Sequence, residues 1–154
     1  MEKSDSKKVW FLGEVKLGYH RNDDVEGSQI MCSTDAMRFF RQLMDISVIE
    51  HHEEFWVGFT NRANRVIAFL QLSKGSLTGT VVDVKQIMQV CLNANACGVL
   101  VMHNHPSGNL SPSEEDKKVT QKIKAACALF DVTLLDHIIL TKDDYTSFAD
   151  ERML

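Results

Sequence analysis

No stretch of this chain approaches the roughly 18 uncharged apolar residues of a membrane-spanning helix, so the sequence offers no membrane partner. Residues Met1 to Lys8 are polar and charged, and Gly13 and Glu14 interrupt before any apolar core of secretory length can form. The expectation is a cytoplasmic protein. A C-x-x-C pair is also lacking. Cys32, Cys91, Cys97 and Cys127 are scattered, three of them in apolar surroundings, which predicts reduced core thiols with neither disulfides nor a thiolate zinc site. There is no excess of basic charge: 17 Lys and Arg stand against 21 Asp and Glu, for a net charge of −4. With the two signs interspersed, the basic stripe needed for non-specific nucleic-acid binding is missing. Repeats, linkers and low-complexity segments are absent as well.

What is present is the composition of an ordinary globular domain. At 154 residues, 44% hydrophobic and 25% charged, the chain suits one core and is too short for a second of any size. The expected organisation is a flexible polar tail over 1–8 and a single domain over 9–154.

Periodicity divides that domain into elements. Val15, Leu17 and Tyr19 alternate with Glu14 and Lys16, predicting a strand within 9–19, and residues 20–31 read as a loop. Ser33 or Thr34 is placed to cap a helix whose Ala36, Phe39, Phe40 and Leu43 share one face, ending near Asp45. Residues 53–60 and 65–72 read as a hairpin joined by Asn61-Arg62-Ala63-Asn64. Gly75 and Gly79 frame a loop. Asp83 then precedes a helix with Val84, Ile87, Met88, Cys91 and Leu92 on its inner face. The run 98–102 is apolar throughout, as in a central strand covered on both faces. After a turn at 103–108, Ser111 as N-cap, Pro112 at the first helical position and Glu114 three residues after the cap predict a third helix, with Val119, Ile123, Ala126 and Phe130 inward. Residues 132–140 and 145–148 read as strands around a turn at Asp143-Asp144. The order implies a mixed sheet flanked by helices, an α/β fold with a soft boundary to α+β.

His103 and His105 leave the end of the central strand two residues apart, so an extended backbone projects both imidazoles to one side. Asp116 follows on the inward face of the third helix, at the spacing of Val119, Thr120 and Ile123, where an unpartnered carboxylate costs several kcal/mol. A His-x-His pair alone passes for chance near a turn, and an Asp there for a helix-dipole partner. Together they match the ligand set of catalytic zinc, with the fourth position left to water, and one Zn²⁺ per chain is expected. Ser113, a turn before Asp116, is either an ordinary first-turn serine or a donor to a developing oxyanion. A proton shuttle requires a carboxylate. Glu53 and Glu54 are both candidates; alternation groups Glu53 with Phe55, Val57 and Phe59, the more apolar side, so Glu53 points inward. On local sequence alone a solvated strand-edge glutamate is the simpler reading. His20, His51 and His52 read as solvated. His137 reads as a sheet residue or as a group supporting a ligand from behind.

His103-Asn104-His105-Pro106-Ser107-Gly108 followed by Ser113-Glu114-Glu115-Asp116 resembles the H-x-H-P-S-G-x4-S-x-x-D signature of JAMM-type (JAB/MPN domain) metalloproteases, and HNHPSG resembles their RadC-like branch. The similarity extends over roughly residues 33–148, including EEFWVGFTNRANRVI, CGVLVMHNHPSG and LLDHIILTKDDYTSF. This resemblance implies zinc ligands His103, His105 and Asp116, Ser113 assisting the oxyanion, and Glu53 as general acid/base. It also implies a cytidine-deaminase-like mixed sheet and hydrolysis of a peptide or isopeptide bond in a peptide or protein substrate. RadC-like proteins commonly carry an upstream helix-hairpin-helix-type domain for which these residues leave no room, and Val84-Lys85 stands where many relatives have Pro-Arg. The competing reading is a DNA-repair-associated factor using the domain as a nucleic-acid or protein binding module, which the charge does not support. A nucleobase deaminase wants H-x-E with P-C-x-x-C, and both are missing. The letters HNH match the nuclease name only by coincidence. Loops 20–31 and 73–82 are the expected determinants of substrate choice.

Overall fold

The computed structural model describes residues 28–76 and 82–154. The tail over 1–8, the strand expected within 9–19, most of the loop 20–31 and the centre of the loop 73–82 lie outside the described residues. Within them, helix α1 (Ser33–Leu43) is followed by a short 3₁₀ turn (Ile46–Val48) and the hairpin β1 (Glu53–Thr60) and β2 (Val66–Ser76). Helix α2 (Val84–Asn93), strand β3 (Gly98–Asn104), helix α3 (Glu114–Ala128), β4 (Thr133–Leu140) and β5 (Tyr145–Ser147) complete the order.

The strands form one mixed sheet in the order β2-β1-β3-β4-β5, in which only β3 and β4 are parallel. Three helices flank it, the α/β arrangement expected. A tight hairpin joins β1 to β2 because Asn61 Oδ1 accepts the amides of Ala63 and Arg65, and Asn64 takes the left-handed conformation that asparagine tolerates. The β3–α3–β4 crossover makes the parallel pair, and its apolar central strand is buried along its whole length.

Each face of the sheet carries its own core. On one, α1 packs Phe39 and Phe40 against Trp56, Leu100, Met102 and Ile138. On the other, α2 and α3 pack Ile87, Cys91, Ile123 and Cys127 against Val57 and Val101. Burying each such aliphatic or aromatic side chain is worth roughly 1.5–3 kcal/mol, so both helical layers are held chiefly by apolar contact. Burial also drives the Cys127 thiol up to about 12, so it stays protonated at neutral pH. Gly98 opens β3 where a Cβ would lie 2.4 Å from Thr60 Oγ1, a close approach that only glycine permits.

Several local expectations are corrected. Neither Ser33 nor Thr34 caps α1; Cys32 holds the N-cap position, and both hydroxyls instead lie 3.2 and 3.0 Å from the Tyr145 hydroxyl, tying the helix to β5. Leu92 is 49% exposed, because α2 ends one residue later and its last turn clears the sheet. Phe130 is 50% exposed, because α3 stops at Ala128 and the chain turns through Asp131 at positive φ. Ser111 is not the N-cap of α3. Ser113 is, and its capping-box partner is Asp116 rather than Glu114. The box has the expected spacing but starts two residues later, after Pro112, while the Ser111 amide donates to Asn109 Oδ1 within the loop.

Candidate metal centre

In open α/β sheets, sites form beyond the carboxyl ends of parallel strands, and here β3 delivers two histidines to that edge. The His105 amide donates to Leu140 O at 2.9 Å, so the extended backbone of β3 continues past Asn104 and the alternation holds. His103 and His105 therefore fall on one side, with their Nε2 atoms 2.9 Å apart. The first turn of α3 adds Asp116, whose Oδ1 lies 3.2 Å from His103 Nε2 and whose Oδ2 lies 3.6 Å from His105 Nε2. One donor atom from each residue lies within 4.8 Å of the other two. Among the described residues this is the one cluster of that kind.

The donors suit a cation. His105 Nδ1 lies 2.5 Å from the carbonyl of Asn109, which can only accept, so the neutral ring keeps its lone pair on Nε2 and aims it at Asp116 and His103. Burial alone would raise the Asp116 carboxyl, but its polar contacts with the His103 and His105 rings and the hydrogen bonds from Ser113 overrule it and hold the group well below the usual carboxylate range. His105 is pushed up, first by its contact with Asp116 and against the opposing effect of burial, with the Asn109 carbonyl and the charge of Glu53 assisting. An ionised carboxylate and imidazole nitrogens converging from two elements are a fitting set for a divalent ion that takes nitrogen and oxygen ligands.

Ser113 grips the same carboxylate. Its amide and its hydroxyl each donate to Asp116 Oδ2 at 2.7 Å, and the Asp116 amide donates back to Ser113 Oγ at 3.1 Å. The carboxylate facing the histidines thus also closes the helix cap.

Glu53 and Glu54 part company at the start of β1. Strands β1 and β3 are antiparallel with Phe55 opposite His103, so two residues further along Glu53 comes beside His105 on the same face. Glu53 is half-buried and lines an open cleft of about 490 Å³ with His105, Ser107, Asn109 and Ser113. Pro106 and Pro112, the only prolines of the chain, also line it and restrict the backbone there. Glu54 is only 2% exposed on the other face, where His52 Nε2 and Trp56 Nε1 meet its two oxygens at 2.9 Å each and Lys74 Nζ lies 3.7 Å away. The expectation that Glu53 holds the one inward face is corrected: both faces of β1 are covered, and the more deeply buried glutamate is Glu54. His52 is likewise not solvated but half-buried on Glu54.

Sequence reasoning missed Asn104, between the two histidines. Its side chain points to the opposite face and is fully buried. Nδ2 donates to Ile49 O and His52 O, both at 2.8 Å, and Oδ1 accepts the Glu54 amide at 2.7 Å. These bonds clasp the backbone on either side of Glu53 to the strand that carries the histidines. His137 stands behind His103, with its Nε2 2.8 Å from His103 Nδ1.

The RadC-like JAB domain profile matches residues 30–153. A UPF0758 protein of Flavobacterium johnsoniae is 41% identical over 149 residues, covering 96% of this chain and 64% of the relative. One from Coprothermobacter proteolyticus is 36% identical over 155 residues, covering 100% of this chain and 66% of the relative. One from Haemophilus ducreyi is 43% identical over 117 residues, covering 76% of this chain and 51% of the relative. The chain spans between about half and two thirds of the length of these curated relatives. A profile matched from Ile30 to Met153, over the sheet, the helices and the His-His-Asp cluster they assemble, places this chain in the RadC-like JAB domain family.

Proposed function

We propose that this domain is a zinc-dependent metallohydrolase of the JAMM type that cleaves a peptide or isopeptide bond in a protein or peptide substrate. The observation that carries the reading is the convergence of His103 Nε2, His105 Nε2 and the Asp116 carboxylate at the edge of a cleft that Glu53 lines. These three residues would hold one zinc ion. Zinc at such a site acts as a Lewis acid and makes water a usable nucleophile near neutral pH.

The chain's own groups do the rest. Glu53 takes the proton of the attacking water as its oxygen bonds to the scissile carbonyl carbon. The Ser113 hydroxyl turns from Asp116 to donate to the oxyanion, while the Ser113 amide keeps its hold on the carboxylate. As the carbon–nitrogen bond breaks, Glu53 returns the proton to the leaving amine. Asn104 keeps the Glu53 backbone in place against the histidine strand throughout. The four cysteines, all free, suit a reducing cytoplasm. A nucleic-acid role finds no basic excess to rest on in a chain of net charge −4.

Elemental analysis of tag-free protein tests the metal step. Wild type carries close to one zinc per chain and Asp116→Asn carries little; a wild type that stays empty after zinc is added back overturns the reading. Hydrolysis of quenched peptides and isopeptide-linked substrates then tests turnover. Glu53→Gln should keep its zinc and lose cleavage, and unchanged cleavage by that variant removes Glu53 from the chemistry.

A further inference from the structure

We infer that Thr120 and His137 are positioning residues that lock His103 into the tautomer with its proton on Nδ1, leaving the Nε2 lone pair aimed at His105 and Asp116. The inference deepens the metal reading above and rests on it for its purpose, but its geometry stands on hydrogen bonds alone.

The direction of the chain of bonds is forced from one end. Thr120 Oγ1 lies 2.6 Å from the main-chain carbonyl of Asp116, four residues back on α3, and 2.6 Å from His137 Nδ1. A carbonyl can only accept, so the single hydroxyl proton goes to Asp116 O. His137 Nδ1 must then be the donor to Thr120. His137 has no exposed surface; its ring stacks on Phe148 at 4.6 Å and 18° and meets Phe55 edge-on at 5.8 Å. Its two ring nitrogens meet Thr120 Oγ1 and His103 Nδ1 and no carboxylate, and a charge in that enclosed apolar setting would be costly, so the ring is neutral. Neutral His137, already protonated on Nδ1, offers only a lone pair at Nε2. The 2.8 Å contact to His103 Nδ1 is therefore a bond that His103 donates.

The reverse direction fails at the Thr120 end: it would leave Thr120 Oγ1 and Asp116 O facing each other at 2.6 Å with no hydrogen between them. His103 and Asp116, which face each other at 3.2 Å, are thus linked from behind through His137, Thr120 and the Asp116 backbone. Groups that hold a metal-binding imidazole from behind typically change metal affinity about 10–100-fold when removed.

Nitrogen-15 NMR of the full chain, metal-free and histidine-labelled, at slightly alkaline pH reads the tautomers directly. His103 and His137 are both expected in the Nδ1–H form, and a wild-type His103 protonated on Nε2 overturns the inference without touching the metal reading. Thr120→Val, which keeps the shape and removes the hydroxyl, should give mixed tautomers at His103 and weaken zinc binding about 10–100-fold in a chelator competition. Thr120→Ser should restore both. Unchanged tautomers and affinity in Thr120→Val remove Thr120 from the role. Expected tautomers in a wild type that binds no zinc support the relay and overturn the metal reading instead.

Discussion

Ser113 and Asp116 hold each other from both ends: two Ser113 donors reach Asp116 Oδ2 at 2.7 Å, and the Asp116 amide returns to Ser113 Oγ at 3.1 Å. One carboxylate therefore serves two structures, the N-terminus of α3 and the histidine cluster. The positive end of the helix favours it in both, as it does Glu114 and Glu115 beside it.

Ser113→Ala removes the hydroxyl from this box. The expected loss is about 1 kcal/mol, or roughly 2–4 °C in the melting temperature of a domain of this size. Thermal unfolding of the metal-free protein followed by circular dichroism reads it, with Ser113→Thr as the variant that recovers the cap. An unshifted melting curve would show that the Ser113 amide alone suffices.

Asn104→Ala strips partners from Ile49 O, His52 O and the Glu54 amide at once. Each buried group left unpaired costs about 1–3 kcal/mol, so a loss of about 3 kcal/mol or more is expected in urea unfolding. Asn104→Asp should do no better. It keeps the acceptor for Glu54 but turns a carboxylate oxygen toward two carbonyls that 2.8 Å bonds now satisfy. Near-wild-type stability for Asn104→Ala would mean that the segment on either side of Glu53 is held by other contacts.

Asp136 gives a pH signature. Its Oδ1 accepts the amides of His137 and Ala149, and its Oδ2 accepts the Ser147 hydroxyl at 2.6 Å. Burial nevertheless wins over these bonds and raises its carboxyl above the ordinary value of 3.8. Between that value and the raised one, the folded state holds a proton that the unfolded state has released. This contribution to stability is therefore complete below the unfolded value and is lost as pH rises through the folded one. Asp136→Asn keeps the acceptor for both amides and donates to Ser147 Oγ, so at neutral pH it should be as stable as wild type or more so, within about 1 kcal/mol. The difference between the two proteins should shrink or reverse on acidification. Denaturation at a series of pH values measures it, and a deficit of several kcal/mol at neutral pH would show that the charge itself is required.

Local periodicity made much of this site legible. Two histidines two residues apart at the end of an apolar strand share a side whatever the sheet does, because successive side chains alternate. A Ser-x-x-Asp at a helix start brings its two residues together in any fold, because the first turn alone sets that geometry. The order of elements along the chain was enough to suggest a mixed sheet, since a hairpin and a strand–helix–strand unit were both apparent. The choice between Glu53 and Glu54 was harder. Alternation separated them correctly onto two faces, but a strand covered on both sides has no single inward face.

The amino-acid sequence by itself determined the elements and the residue types within reach of each other along the chain: His103 with His105, and Ser113 with Asp116. Only the tertiary structure decided what stands behind them. Val99 pairs with Leu134 but Leu100 pairs with Asp136, so β4 carries one extra residue at Leu135. That bulge reverses the alternation and turns His137 onto the face of Val101 and His103, where a regular strand would have sent it to the α1 side. Asn104 likewise acquires its role from a segment some fifty residues earlier in the chain that β1 brings alongside β3. Neither relation has a local signature, because register between strands is set by how whole faces bury and not by the residues that happen to meet there.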